Sequence, residues 1–320
     1  MCYDDLINTI QNTKRWKRVA ISLEGDKMKL QQEFSIIEQI EKINPCLRDK
    51  FIEPPFSVLD ARQGSWQDRK QAWKSLGMEG ELGRKGELCL AQGMNKYDPR
   101  KSYTGTSGFD ETLAELLYTW FCPQGGNILD PLAGGSTRGI IAHYLGFNYT
   151  GIELRQEQVD SNREQALNIL PINNQPNWYV GDSNKLLDNQ WNIRFDFILT
   201  CPPYADLEVY SGLPDDISNM PYPKFIEVYR SIIKKSLNLL KPNCLACFVV
   251  GDIRDKEGYY RDFIGDTKRA FMDCGAKLYN EAVYLENGLN TAAMRAEKQF
   301  NASRKLVKVH QNVLIFKRVV

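Results

Sequence analysis

Histidine is scarce in this chain of 320 residues, which has only His143 and His310. Protein zinc sites are built from closely spaced cysteines and histidines. The eight cysteines are scattered, and only Cys244 and Cys247 form a Cys-x-x-Cys pair, with no second pair to complete a site. Because this pair lies at the start of the apolar run LACFVV, we interpret both residues as core thiols and predict no metal site.

Long apolar runs are missing too. The chain has no stretch of about eighteen apolar residues, the length that a membrane-spanning helix needs. The N-terminal sequence MCYDDLINTIQNTKRWKR also lacks the apolar centre of a signal peptide. We therefore expect a soluble cytoplasmic protein with no membrane partner, in which the cysteines stay free thiols rather than forming disulfides.

Neither sign of charge is in excess, since 41 Lys and Arg stand against 40 Asp and Glu. This balance excludes a protein that binds polyanions with its whole surface, but basic residues still concentrate locally. Residues 14–18, KRWKR, form one cluster, and residues 290–320 form another with a single acidic residue. For these clusters the alternatives are contact with nucleic-acid phosphates and a solvated face.

Short apolar runs alternate with helical patterns from about residue 108 onward, which predicts a sheet flanked by helices. Predicted strands cover residues 127–130, 149–154, 177–182, 195–200, 245–251, 276–285 and 310–317. Predicted helices cover residues 110–121, 137–145, 155–169, 222–240 and 260–274. The pattern indicates an α/β fold with a seven-stranded, mostly parallel sheet, in which the last two strands need not be parallel.

Residues 1–95 do not follow this alternation. They contain an amphipathic helical pattern at 31–43 and a turn-rich stretch at 53–73, and we interpret them as an N-terminal accessory extension of a main domain at 96–320. Residues 288–308 are polar and basic and are predicted to form a long loop between the last two strands. Loops of that length in compact domains are usually functional or disordered.

Acidic residues end three consecutive predicted strands, at Asp130, Glu153 and Asp182. The carboxyl ends of such strands meet at one edge of an α/β sheet, where ligands bind. A carboxylate after the second strand can accept both hydroxyls of a ribose, and the small residues of LAGGST after Asp130 let a ligand approach the backbone. For Asp182 taken alone we favour a helix cap, but three acids in register predict a nucleoside-shaped site.

The sequence TCPPY lies at the end of the fourth predicted strand and is therefore expected at the same edge of the sheet. DPLAGGST resembles the DPFxGxGT cofactor motif, and TCPPY resembles the (D/N/S)PP(Y/F) catalytic motif, of S-adenosylmethionine-dependent DNA amino-methyltransferases. PRKSYTGTSGF at 99–109 resembles the segment of that family that helps to hold the methionine end of the cofactor. The front and end of the chain are similar to those of phage-encoded DNA methylases.

The resemblance implies a Rossmann-like class I methyltransferase fold, the cofactor S-adenosyl-L-methionine and a DNA partner whose target base is flipped out. It implies these cofactor-binding residues: Tyr103, Thr104, Gly105, Thr106, Asp130, Pro131, Ala133, Gly134, Gly135, Ser136, Thr137, Glu153, Leu154, Asp182 and Ser183. It implies a catalytic turn formed by Cys201, Pro202, Pro203 and Tyr204. The basic residues expected to contact the DNA backbone are Arg295, Lys298, Arg304, Lys305 and Lys308.

Cys201 departs from the family motif, because a thiol accepts hydrogen bonds weakly. In one interpretation the carbonyl of Pro202, helped by Asp206 or Glu208, accepts the hydrogens of the target amine. In another, Cys201 is a thiolate that attacks a pyrimidine so that C5 is methylated, with Glu286 as partner acid. The remaining alternatives are a non-catalytic DNA-binding protein and an RNA or small-molecule methyltransferase on the same fold.

Two further segments each allow two interpretations. Tyr210, Ser211 and the acidic residues after them either line a base pocket or form a plain surface loop. Asp252 and Arg254 either contact the nucleic acid or form a salt bridge within their loop.

Overall fold

The computed structural model describes residues 47–79, 108–189, 191–205, 210–286 and 289–319, of which some side chains between 289 and 295 are not described. The chain divides into two compact units, Met1–Pro55 and Phe56–Val320. The elements below belong to the second unit. The strands are β1 (Val58–Asp60), β2 (Asn127–Asp130), β3 (Asn148–Glu153), β4 (Asn177–Val180), β5 (Phe195–Thr200), β6 (Leu240–Val250), β7 (Ala276–Leu285) and β8 (His310–Arg318). The helices are α1 (Gly64–Ser75), α2 (Glu111–Phe121), α3 (Thr137–Tyr144), α4 (Gln156–Ile169), α5 (Ser183–Leu186), α6 (Tyr222–Leu239), α7 (Phe263–Asp273) and α8 (Leu289–Ser303).

The strands form one sheet in the order β1-β7-β8-β6-β5-β2-β3-β4. Every neighbouring pair is parallel except the two pairs that β8 makes with β6 and β7. The predicted α/β, Rossmann-like fold with a mostly parallel sheet is confirmed by this topology. The sheet has eight described strands rather than the seven expected, because β1 has only three residues and is too short to show an alternation in the sequence.

The central strands are apolar on both faces because helices cover both sides of the sheet. Ile128 and Leu129 of β2 and Phe197 and Ile198 of β5 are completely buried. On one side, a cluster of aromatic rings fills the space between α6, α7 and the sheet, with Phe271 stacked on Phe316 at 3.9 Å between ring centroids. This packing fixes the ends of the strands on which the site is built.

Helix α1 is tied to α2 by buried polar contacts. The indole of Trp66 donates to Asp110 at 3.0 Å, and Lys70 donates to the other oxygen of Asp110 at 2.7 Å. Trp73 donates to Glu115 at 2.7 Å. Residues 64–75 thus pack within the same compact unit as the sheet, while the predicted boundary at residue 95 stays a prediction.

Residues 289–303 form helix α8, so the prediction of a loop across 288–308 is wrong for most of its length. The segment is rich in Ala, Met, Arg, Glu, Lys and Gln, which have high helix propensity. Leu289, Ala293, Ala296 and Phe300 also recur at helical spacing. Arg304, at a positive φ of 56°, ends the helix with its N–H donating to the carbonyl of Phe300 at 2.7 Å.

Candidate active site

A cavity of about 420 Å³ lies at the carboxyl ends of the parallel strands. This is the edge at which α/β sheets bind ligands. Among the predicted site residues, its wall contains Ala133, Gly134, Gly135, Thr137, Glu153, Leu154, Asp182, Ser183, Cys201, Pro202, Pro203 and Tyr204. The fold therefore brings the predicted cofactor loop and the predicted catalytic turn to one enclosure.

Asp130 lies behind the cavity wall rather than on it. Its carboxylate is fully buried and accepts hydrogen bonds from Arg138 Nε at 2.6 Å, Tyr149 Oη at 2.8 Å and Thr200 Oγ1 at 2.7 Å. Burial alone would lower the pKa of Arg138, but the Asp130 carboxylate raises it above its usual value. Arg138 also donates to the carbonyls of residues 132 and 133. Asp130 thus shapes the cofactor loop from within, which differs from the direct contact that we expected.

Pro131 and Ser136 also lie off the wall. The carbonyl of Pro131 accepts a hydrogen bond from Ser183 Oγ, which joins the loop after β2 to the start of α5. Ser136 is buried, and its hydroxyl donates to Gln165 on α4. Both residues hold the loop in place, whereas we expected them to contact the cofactor.

Glu153, the last residue of β3, faces the cavity. Its two carboxylate oxygens accept hydrogen bonds from the N–H groups of Gly134 and Arg155, each at 3.0 Å. Burial raises the pKa of Glu153, against the lowering effect of these two N–H groups. Because each carboxylate oxygen has two lone pairs, both can still accept a hydroxyl of a ligand.

Asp182 combines the two roles that the sequence left open. Its Oδ1 accepts from the N–H of Asn184 at 2.8 Å and so caps the short helix α5. Its side chain also lines the cavity, with Lys185 Nζ at 3.6 Å from Oδ2. The cap therefore fixes the carboxylate at the mouth of the site.

The loop after β2 leaves room for a ligand at Gly134. This residue has a φ of +56°, and a Cβ added to it would meet no described atom within 4 Å. Thr137, the first residue of α3, lines the cavity and is only 2% exposed, yet its Oγ1 has no hydrogen-bond partner among the described residues. An unsatisfied buried hydroxyl costs about 1–3 kcal/mol, and a polar ligand would remove that cost.

The predicted catalytic turn at 201–204 follows β5. Sγ of Cys201 lies 3.7 Å from the hydroxyl oxygen of Tyr204, and that hydroxyl donates to Oε1 of Gln311 at 3.1 Å. The Tyr204 ring packs edge-on against Phe263, with 6.0 Å between centroids. Burial raises the pKa of Tyr204 well above its usual value, so this phenol keeps its proton.

The antiparallel pair of β7 and β8 contributes two residues behind the turn. Gln311 pairs with Tyr284 in the register, and its Nε2 donates to Oε1 of Glu286, which follows β7. Both Gln311 and Glu286 line the cavity. From the sequence, Glu286 was expected only as the partner acid of a thiolate. Gln311 was not predicted, and its signal was a polar residue at the start of the apolar strand HQNVLIFK.

The segment after the turn also reaches the cavity. Tyr210, Ser211 and Asp216 line it, as expected of a pocket wall rather than of a plain surface loop. Asp216 accepts from Ser211 Oγ at 2.7 Å and from the N–H of Ser218 at 2.9 Å, which fixes the segment.

Several predicted residues lie outside the described residues. They are Tyr103, Thr104, Gly105, Thr106, Asp206, Glu208, the basic cluster at 14–18 and the whole helical pattern at 31–43. The side chain of Arg295 is likewise not described, although its backbone belongs to α8.

Two of the predicted DNA-contacting lysines lie over the loop 251–258 that follows β6. A Cβ placed on Gly251 would be 3.7 Å from Lys308 Nζ and 3.4 Å from the Tyr204 ring, so Lys308 lies beside the catalytic turn. Lys305 Nζ lies directly over Gly258. Burial lowers the pKa of Lys308, against the raising effect of nearby Asp252 and Glu286.

The other basic residues have local partners or are exposed. Lys298 and Arg304 are exposed, and the Arg304 guanidinium lies 5.1 Å from the Phe300 ring centroid. Arg254 stacks over the Tyr260 ring at 3.8 Å and donates to the carbonyl of Gly258 at 2.8 Å. Arg254 therefore has contacts within its own loop rather than the salt bridge that we considered.

Among the described residues, no group of three His, Cys, Asp or Glu side chains is placed to hold a metal ion. No described helix is both long enough and apolar enough to cross a bilayer. Cys247 is completely buried in β6, and burial raises the pKa of buried Cys122 to about 12.

No protein-family model and no curated protein sequence matches this chain. Similar solved structures include TrmN from Thermus thermophilus, with 17% identity and a TM-score of 0.46 over 72% of this chain and 53% of TrmN. A SAM-dependent methyltransferase from Methanosarcina mazei has 14% identity and a TM-score of 0.40 over 62% of this chain and 95% of its own. Magnesium protoporphyrin IX methyltransferase from Synechocystis, solved with bound SAM, has 12% identity and a TM-score of 0.40 over 81% and 93%. The chain thus spans about half the length of TrmN, and likenesses this distant assign no substrate.

Proposed function

We propose that this chain is an S-adenosylmethionine-dependent DNA methyltransferase that acts on an exocyclic amine, adenine N6 or cytosine N4, of a flipped-out base. The observation that carries the proposal is that Glu153 and the turn 201–204 line the same cavity. The carboxylate suits a ribose diol, and the Pro-Pro-Tyr turn suits an aromatic base. A methyl donor and its acceptor can therefore meet in one enclosure.

The residues of the wall fit the cofactor. The cavity of about 420 Å³ lies within the range of roughly 300–1,000 Å³ that is usual for small-molecule sites. Gly134 leaves its backbone open to a ligand, and the buried Oγ1 of Thr137 lacks a partner among the described residues. When bound, S-adenosylmethionine supplies an electrophilic methyl group on a sulfonium.

The chain's own contribution is alignment and acceptance of a hydrogen bond. Tyr204 offers a ring on which a base can stack. The carbonyl of Pro202 and the sulfur of Cys201 can accept hydrogen bonds from an amine and so expose its lone pair. Lys308 beside the turn, with Lys305, Lys298 and Arg304 further out, supplies positive charge for DNA phosphates.

A methylation assay tests the proposal. The full chain is incubated with duplex DNA and methyl-labelled S-adenosylmethionine, and the nucleosides are analysed by mass spectrometry. We expect N6-methyladenine or N4-methylcytosine, lost in Tyr204→Ala and kept in the exposed control Tyr279→Ala. Product on RNA alone, or no product with either nucleic acid, would contradict the proposal.

A pyrimidine C5 methyltransferase is a second candidate, because Glu286 lines the same cavity as Cys201. Cys201→Ser separates the two chemistries. An amine methyltransferase keeps activity with a serine hydroxyl at this position, whereas a C5 enzyme loses its nucleophile and its product.

A DNA-binding protein that retains only the fold would not bind S-adenosylmethionine. A binding measurement therefore distinguishes it from the proposed enzyme. Titration calorimetry with S-adenosylmethionine should give a signal that Glu153→Ala abolishes. The matched control is Glu157→Ala, which removes an exposed carboxylate from the first turn of α4.

A further inference from the structure

A chain of hydrogen bonds leads from Glu286 to the catalytic turn. Gln311 Nε2 donates to the Glu286 carboxylate, Tyr204 Oη donates to Gln311 Oε1 at 3.1 Å, and Cys201 Sγ lies 3.7 Å from Tyr204 Oη. These four side chains come from the turn after β5, the end of β7 and the start of β8, and all line the cavity.

The chemistry of these groups sets the direction in which each hydrogen bond is donated. A carboxylate only accepts, so the contact with Glu286 turns the amide nitrogen of Gln311 towards it and leaves Oε1 facing Tyr204. An amide oxygen also only accepts, so Tyr204 gives its single proton to Gln311. The Tyr204 oxygen then has only lone pairs for Cys201, and the S–H must be the donor in that contact.

We propose that Glu286 and Gln311 are positioning residues that direct the proton of Tyr204 away from Cys201, so that Cys201 remains a thiol whose hydrogen points to Tyr204 and whose sulfur is an acceptor. The inference rests on the proposed amine methylation, since it gives the thiol the role that Asp, Asn or Ser has in the family motif. It also disfavours the C5 chemistry, because Tyr204 gives no hydrogen bond to a thiolate.

The surroundings of Tyr204 support this direction. Burial raises the pKa of Tyr204, and the neighbouring Cys201 and Glu286 raise it further, so the phenol keeps the proton that it donates. The Glu286 N–H donates to the carbonyl of Val309 at 3.2 Å, which anchors the carboxylate opposite β8.

Alkylation of Cys201 tests the proposed direction of these hydrogen bonds. It needs neither cofactor nor DNA, so its outcome is independent of whether the protein methylates DNA. The rate of reaction with iodoacetamide is followed from pH 6 to 10 by mass spectrometry of the peptide that contains Cys201. In Gln311→Met the Tyr204 proton has lost its acceptor and turns to the sulfur. A hydrogen bond to a charged group then favours the thiolate, and the midpoint of the profile moves to lower pH by about one unit.

A second substitution shows whether a shift in the alkylation midpoint comes from the Tyr204 hydrogen bond or from a change in charge. Among the described residues, the ionisable groups near Cys201 and Tyr204 include Arg138, Tyr229, Tyr210, Glu286 and Lys308. Gln311→Met alters the charge of none of them. The double variant Gln311→Met/Tyr204→Phe should return the midpoint to the wild-type value. Gln299→Met, a change of the same type on α8, should leave it unmoved.

Tyr204→Phe in the otherwise native chain provides a further check. Because Tyr204 donates nothing to Cys201 in the proposed arrangement, this variant should shift the midpoint by less than about 0.3 unit. A rise of one unit would mean that Tyr204 donates to the sulfur and would overturn the proposal. So would a Gln311→Met profile that matches the wild type, or a shift that persists without the Tyr204 hydroxyl.

Discussion

Replacing Arg138 by methionine removes the cation that holds the cofactor loop from within. Arg138→Met leaves the Asp130 carboxylate fully buried, with hydrogen bonds from Tyr149 and Thr200 but no neutralising charge. Breaking one side of a buried ion pair costs roughly 3–5 kcal/mol. Because these two hydroxyl donors remain, we expect a loss near the lower limit, about 3 kcal/mol.

Urea unfolding followed by circular dichroism measures this loss. With an m-value of about 3 kcal/mol per M, a loss of about 3 kcal/mol lowers the midpoint by roughly 1 M. The matched control is Arg269→Met, whose side chain is 50% exposed and pairs with Asp262 and Asp266. An exposed pair of this kind contributes about 0–1 kcal/mol.

A double variant distinguishes the two causes of the stability loss, the unpaired Asp130 carboxylate and the lost packing of the Arg138 side chain. Asp130→Asn, added to Arg138→Met, should recover part of the stability because no unpaired carboxylate then stays buried. If Arg138→Met unfolds at the same urea concentration as Arg269→Met, the ion pair does not hold the loop and the reasoning is refuted.

Three other predictions concern pH, packing and DNA. Burial lowers the pKa of His143, whose Nε2 accepts from the Tyr149 N–H, so stability should fall as pH drops below about 6.5. Thermal melts should show a smaller fall between pH 7 and 5 in His143→Gln. A Cβ on Gly139 would lie 2.5 Å from the Trp178 ring, so Gly139→Ala should lower the free energy of unfolding in urea by about 1–3 kcal/mol. Lys308→Met should weaken duplex binding in fluorescence anisotropy and lower the salt slope by about one.

Each of these predictions has a control or a contradicting result. Equal acid sensitivity in His143→Gln and the wild type would show that His143 does not set the pH response. For the packing prediction, Gly212→Ala should be nearly neutral, since its Cβ would meet no described atom within 4 Å. For DNA binding, the exposed control Lys224→Met should leave the salt slope unchanged, and an unchanged slope in Lys308→Met would remove that lysine from the interface.

The sequence by itself determined the fold class and the edge of the sheet at which the cavity lies. Strand lengths and apolar runs showed most of the sheet, because buried central strands must be apolar whatever their neighbours are. The acids at Glu153 and Asp182 and the turn at 201–204 could be placed on one edge, because successive parallel strands end on the same side. Helix α8 was missed because its polar, basic composition suggested a loop, although Leu289, Ala293, Ala296 and Phe300 recur at helical spacing. Strand β1 was missed because three residues are too few to show a period.

Only the tertiary structure decided which polar groups face the cavity and which support it from behind. Asp130 has the position in the chain that the cofactor motif leads one to expect, yet Arg138, Tyr149 and Thr200 surround its carboxylate. Gln311 reaches Tyr204 across 107 positions of the chain. Contacts of this kind depend on strand order and side-chain direction, which no local pattern of residues records.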